Sequence, residues 1–136
     1  MTHRSFDVAG LHEPSHYAHV TVASPGELVF VSGQVGAAAS SERQSFRDQA
    51  VAAFANVSLA LAGANCTFAD VVKMNTYLVD AEDLPTLQAV RAEIFDEVFP
   101  NRSGYPTSTL VVVKALANPL FLLELDVVAS RPPAAR

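Results

Sequence analysis

The chain has 136 residues, half of them apolar and 17% charged, a composition that fits one globular domain and excludes a disordered segment. Its net charge of −5 opposes approach to a phosphate backbone, and its nine Lys and Arg are scattered, so nucleic acid is not an expected partner. A single cysteine, Cys66, excludes an internal disulfide, and no apolar run reaches the ~18 residues of a membrane span, so a cytoplasmic protein without membrane contact is expected.

The first strand candidates are Ala18–Ala23 and Leu28–Ser32, joined by the turn Ser24-Pro25-Gly26-Glu27. The small, polar stretch Gly36–Ser41 is expected to be a loop. A helix is predicted from about Ser41 to Ala62, because Phe46, Ala50, Phe54, Val57 and Leu61 form one apolar stripe. Gly63 is placed to end it. Cys66 follows with no base in a local motif, so it is read as a small, partly buried residue and not as a nucleophile.

Asp70–Val79, rich in β-branched residues, predicts a strand. A second helix is predicted over about Asp83–Val98, with Asp83 as candidate N-cap and Pro85 in the first turn, where its missing N–H costs nothing. Leu84, Leu87, Val90, Ile94 and Val98 make its apolar stripe. Two last strands, about Thr107–Leu116 and Leu120–Ala129, flank the turn Ala117-Asn118-Pro119. The tail Arg131–Arg136 is expected to lie loose on the surface.

The order β-β-α-β-α-β-β predicts an α+β fold: one mixed sheet with two helices on one face. Yet the last strand is apolar on both sides, with Phe121, Leu123, Leu125 and Val127 on one and Leu122 and Val128 on the other. Such strands expect cover on both faces. With no third layer in the chain, a second subunit is expected to supply it.

Three constellations are candidates for chemistry. His12-Glu13-Pro14-Ser15-His16 has the spacing of a zinc-protease motif, but that motif needs one unbroken helix and Pro14 forbids it, so no metal is expected. Glu124 and Asp126 share one side of an apolar strand, where carboxylates need a partner, a solvated interface or a function. Lys114 on the neighbouring strand is a possible partner. Ser32-Gly33-Gln34 ends a strand with a glycine suited to close approach of a ligand.

Three runs resemble the RidA (YjgF/YER057c/UK114) family. Leu28-Val29-Phe30-Val31-Ser32-Gly33-Gln34 resembles its strand ending in Ser-Gly-Gln. The run from Asp70-Val71-Val72-Lys73 to Asp80 resembles its Val-Val-Lys strand, and Leu123-Glu124-Leu125-Asp126-Val127-Val128-Ala129 its C-terminal strand. The resemblance covers about Tyr17 to Ala129. It implies a chorismate-mutase-like two-layer sandwich, a homotrimer with ligand clefts between subunits, and hydrolysis of small enamines and imines such as 2-aminoacrylate and 2-iminopropanoate without any cofactor.

By the same resemblance, Glu124 positions the attacking water, and Tyr17, Ser32, Gly33 and Gln88 line the cleft. The family's active members also hold the substrate carboxylate with an arginine in a Pro-Ala-Arg-Ser/Thr motif. Here Pro106-Thr107-Ser108-Thr109 falls over that motif, so Ser108 stands where the arginine is expected. A rival register over Pro100-Asn101-Arg102-Ser103 offers Arg102 as the anchor, at the cost of a long insertion before Glu124. A serine donates one neutral hydrogen bond where arginine offers a charged fork. Three functions therefore stay open: an imine or enamine deaminase, a non-catalytic small-molecule binder of the same fold, and, opposed by the charge, an endoribonuclease.

Overall fold

A computed structural model of the chain describes residues 3–24, 26–36, 42 and 44–133. The fold is organised by the strand whose alternation is cleanest. In β6 (Leu123–Arg131), Leu123, Leu125, Val127 and Ala129 are buried, while Glu124, Asp126 and Val128 point to the other side. β6 lies between β3 (Glu27–Gln34) and β4 (Val71–Leu78), antiparallel to both, and β5 (Thr107–Val112) adds to β4 in parallel as an edge strand. The sheet order is β3-β6-β4-β5.

Two helices cover the face that carries Val71, Met74, Leu78, Leu123 and Leu125. In α1 (Phe46–Gly63) the predicted stripe Phe46, Ala50, Phe54, Val57 and Leu61 is buried, joined by Gln49 and Ala53. The helix begins at Ser45, whose hydroxyl accepts from the Asp48 amide. The expected start at Ser41 and most of the expected loop Gly36–Ser41 lie outside the described residues, as does Pro25 of the first turn. At the other end Gly63 is still helical, and the left-handed residue that turns the chain is Asn65, at φ 58°. Cys66 is fully within the core, more deeply than expected.

In α2 (Leu84–Val98) the buried residues are Leu87, Val90, Arg91 and Phe95. The predicted Leu84, Ile94 and Val98 only flank the core, so the buried stripe is rotated towards Arg91 and Phe95. Phe95 is what rotates it, because its ring packs on Phe54, Phe68, Phe99 and Tyr105. Asp83 precedes the helix but makes no side-chain cap; the capping carboxylate is Asp80, which accepts from the Glu82 amide of a preceding 3-10 turn.

Boundaries differ at all five predicted strands: β2 starts at Val20 rather than Ala18, which makes only an isolated bridge to Thr107, and β3 runs from Glu27 to Gln34, beyond Leu28–Ser32 at both ends. Asp70 belongs to a one-turn 3-10 helix, where it and Thr67 cap each other's backbone, so β4 starts at Val71. The last two strands start or stop nearer the sheet centre than predicted, since Asn118 closes a turn by accepting the amides of Leu120 and Phe121. Arg131, assigned to the loose tail, instead closes β6, facing Glu27 and donating to the Ala64 carbonyl. Pro132 and Pro133 follow without regular structure, and the remainder of the expected tail lies outside the described residues.

One strand went unpredicted. β1 (His3–Phe6) pairs antiparallel with β2 (Val20–Ala23) as a separate two-stranded ribbon, giving β-β-β-α-β-α-β-β. Among the described residues no helix is long and apolar enough to cross a membrane.

The uncovered face of the sheet is mixed rather than uniformly apolar. Leu28 and Phe30 of β3 and Val111 of β5 stand exposed there, Phe30 by 73%. Between them runs a polar strip of Lys73, Asn75, Tyr77, Glu124 and Asp126.

Candidate functional site

The strip on the open face separates the two carboxylates of β6 chemically. Asp126 is committed: Asn75 Nδ2 donates to it at 2.8 Å, and the Tyr77 phenol hydrogen-bonds it, which pushes the phenol's pKa up. Lys114 is in no ion pair among the described residues, so it is not the partner of either carboxylate. Glu124 opposes Tyr77 across the sheet and lies over Gly33 of β3. A β-carbon added at Gly33 would sit 2.7 Å from the Glu124 carboxyl carbon. Glu124 has no hydrogen bond or ion pair within the described chain. Ser32 precedes Gly33, exposed, at the point where the β3–β6 register slips.

A second group gathers on the opposite side of the sheet. The amide of Ala18 donates to the Pro106 carbonyl at 2.9 Å, and Ala18 bridges Thr107, which brings Tyr17 to the start of β5. Ser108 follows on β5 in register with the buried Met74, so it faces the helices. Between β5 and α2 lies a cavity of about 380 Å³ whose polar wall is Tyr17, Gln88, Arg91 and Ser108. Leu84 and Leu110 form its apolar wall. His12 stands at the rim, its Nε2 2.6 Å from the Tyr17 hydroxyl.

Tyr17, Gln88 and Ser108 are therefore together, while Ser32, Gly33 and Glu124, placed in the same cleft by the family resemblance, form a separate group on the other face of this chain. Arg102 belongs to neither. It follows a left-handed Asn101, is itself at φ 56°, and lines a neighbouring cavity of about 420 Å³ with Asp7, Glu13, His16 and Tyr105; Tyr17 lines both cavities. Burial raises the Tyr105 phenol's pKa, and the nearby Arg102 only partly offsets that rise. The two histidines of the protease-like motif point apart: His12 meets Tyr17, and His16 meets Asp96 at 3.0 Å. No helix joins them.

Sequence reasoning missed Arg91. Its signal was present, since 84, 87, 91, 95 and 98 keep helical spacing and a charged residue on that stripe is anomalous.

The chain is thus a two-layer α+β domain with a cavity beside its edge strand. The profile of the family described as Endoribonuclease L-PSP matches residues 10–131, and the chain belongs to that family, the RidA family. The RutC family protein YjgH of Escherichia coli is 36% identical over 109 residues, 79% of this chain and 78% of YjgH. TdcF of Escherichia coli, which carries the provisional name reactive intermediate deaminase, is 30% identical over 78% of this chain and 81% of its own. The crystal structure of TdcF with bound serine superposes with a TM-score of 0.68 at 27% identity, covering 94% of each chain. YyfB of Yersinia pestis, a Rid-family protein of unknown function, superposes with a TM-score of 0.82 at 25% identity over 96% of this chain and 100% of YyfB.

Proposed function

We propose that the protein hydrolyses small imines or enamines of 2-amino acids to the 2-oxo acid and ammonia, as a homotrimer. The observation that carries this reading is Glu124, a carboxylate laid over a bare glycine with no hydrogen bond or ion pair among the described residues, beside an Asp126 that already holds Asn75 and Tyr77. In the reaction a water adds to the imine carbon while Glu124 takes its proton. The proton then passes to nitrogen, and as the C–N bond breaks the new hydroxyl gives up its own proton to the departing nitrogen, so that ammonia leaves and a carbonyl remains. Such a positioned base is worth roughly 10²–10⁴ in rate.

The same geometry supports a site shared between subunits. Glu124 and the Tyr17–Ser108 cavity are on opposite faces of one sheet, so one chain cannot present both to one small molecule. A second copy whose open face packs beside the edge strand β5 brings them together. The exposed Leu28, Phe30 and Val111 supply apolar area for that packing.

Ammonia release from freshly generated 2-iminopropanoate tests the reading. Wild type is expected to accelerate it and Glu124→Gln to lose about 10²-fold or more at unchanged oligomeric mass. Equal rates in the two proteins remove Glu124 from the reaction, and no acceleration by wild type rejects the deaminase. A second reading, binding without turnover, is favoured by one observation, Ser108 in place of an arginine. It predicts thermal protection by a ligand that is not consumed. RNA cleavage has the net charge of −5 against it.

A further inference from the structure

Arg91 is 6% exposed, and its guanidinium has no hydrogen bond or ion pair among the described residues. That is a costly state. A buried cation without a partner is held against its loss of hydration, and arginine does not escape by shedding its proton. Burial does pull its pKa below the ordinary value, with the nearby Tyr17 phenol acting in the opposite sense. No aspartate or glutamate lines the cavity it borders. The other polar groups there, the Tyr17 and Ser108 hydroxyls and the Gln88 amide, can all donate, and Leu84 and Leu110 give an apolar side.

We propose that Arg91 is the anion anchor of this protein: from α2 it binds the carboxylate of a small monocarboxylic acid, with Ser108 and Gln88 as further donors and the acid's short apolar chain against Leu84 and Leu110. The charge that β5 lacks at Ser108 is supplied across the cavity by the helix. The substrate class is thereby narrowed within the deaminase reading, on which this rests, to 2-imino acids with an ionised carboxylate and a small aliphatic side chain. Neutral imines and diacids are excluded, the first for want of charge to meet Arg91, the second for want of another buried cation in the cavity.

The test uses 2-oxobutanoate and its uncharged methyl ester as probes, with binding measured by calorimetry and thermal shift on wild type, Arg91→Met, Arg91→Lys and Arg102→Ala. Wild type is expected to bind the acid and not the ester. Arg91→Met should lose on the order of tens-fold in affinity, and Arg91→Lys, which keeps charge without the fork, should fall between. Arg102→Ala should bind as wild type does. Without ligand, Arg91→Met should melt no lower than wild type and keep its oligomeric mass, because an unpaired buried charge has been removed.

A lower melting temperature or a lost oligomer in Arg91→Met marks a structural arginine paired between subunits and overturns the proposal. So does undiminished affinity in Arg91→Met, or loss in Arg102→Ala instead. The two readings fail separately. Arg91-dependent binding of the acid without any deamination sinks the deaminase and leaves the anchor. Deamination that needs Glu124 but is indifferent to Arg91→Met does the reverse.

Discussion

Gly33 and Glu124 occupy the same space, one by having no side chain and the other by filling the room this leaves. The glycine is not there for its backbone, since it lies outside the left-handed region. Gly33→Ala therefore costs the fold little, because the clash is with the end of a flexible side chain and not with the main chain. The expected outcome is a stability change within about 1 kcal/mol in urea unfolding. Deaminase kcat/KM should fall by roughly tenfold or more as the carboxylate is pushed aside. Unfolding curves and turnover on the same preparation check both halves.

Gln49 is predicted to be the most expensive polar residue to remove. It is fully buried in α1, donates to the carbonyls of Gln44 and Leu120, and accepts from the Leu122 amide at 2.9 Å. It thus serves the backbone of the segment entering β6. Gln49→Leu fills similar volume but strands those groups, and about 2–4 kcal/mol of stability should be lost. Chemical denaturation of the variant measures it.

Phe30 is exposed by 73% on the open face, next to Leu28. In a trimer built on that face, Phe30→Glu should prevent assembly and lower the solution mass from three chains to one. Light scattering after size exclusion reads this directly, and a wild-type monomer at micromolar concentration removes the trimer from the proposal.

Cys66 predicts a pH effect with a definite sign. Burial, with the charge of Asp70, raises its thiol pKa above the ordinary 9.0, and Arg131 only partly offsets this. The folded chain then holds the proton more tightly than the unfolded chain does. The thiol's contribution is fully present below about pH 9 and is lost as pH rises from there towards the folded value. Between pH 8 and 10 the urea midpoint of wild type should fall more steeply than that of Cys66→Ala. Tyr77 and Tyr105, whose pKa values are also raised, titrate alike in both and cancel.

Much of the fold is legible in the chain because its elements obey single periods. The α1 stripe is strictly helical and buries as spaced, and β6 alternates with period two. β1 escaped because His3-Arg4-Ser5-Phe6 has neither β-branched residues nor an apolar alternation; it forms by pairing with β2. The α2 stripe was misplaced by one residue because both Ile94 and Phe95 are apolar, and only the aromatic cluster decides which turns inward. For the site, Tyr17, Gln88 and Ser108 wall one cavity, but Arg91 beside them went unseen because its helix was read through its apolar residues alone. That Glu124 lies on the other face was implicit in its alternation with Leu123 and Leu125.

The Ala18–Pro106 hydrogen bond has a consequence for how such a protein diversifies. It ties down one end of the stretch from Asp7 to Tyr17, and the β1–β2 ribbon holds the other. The intervening residues wall two cavities yet contribute nothing to the buried core. Their sequence can change without removing a core contact, so the walls of both cavities can be altered while the scaffold stays as it is.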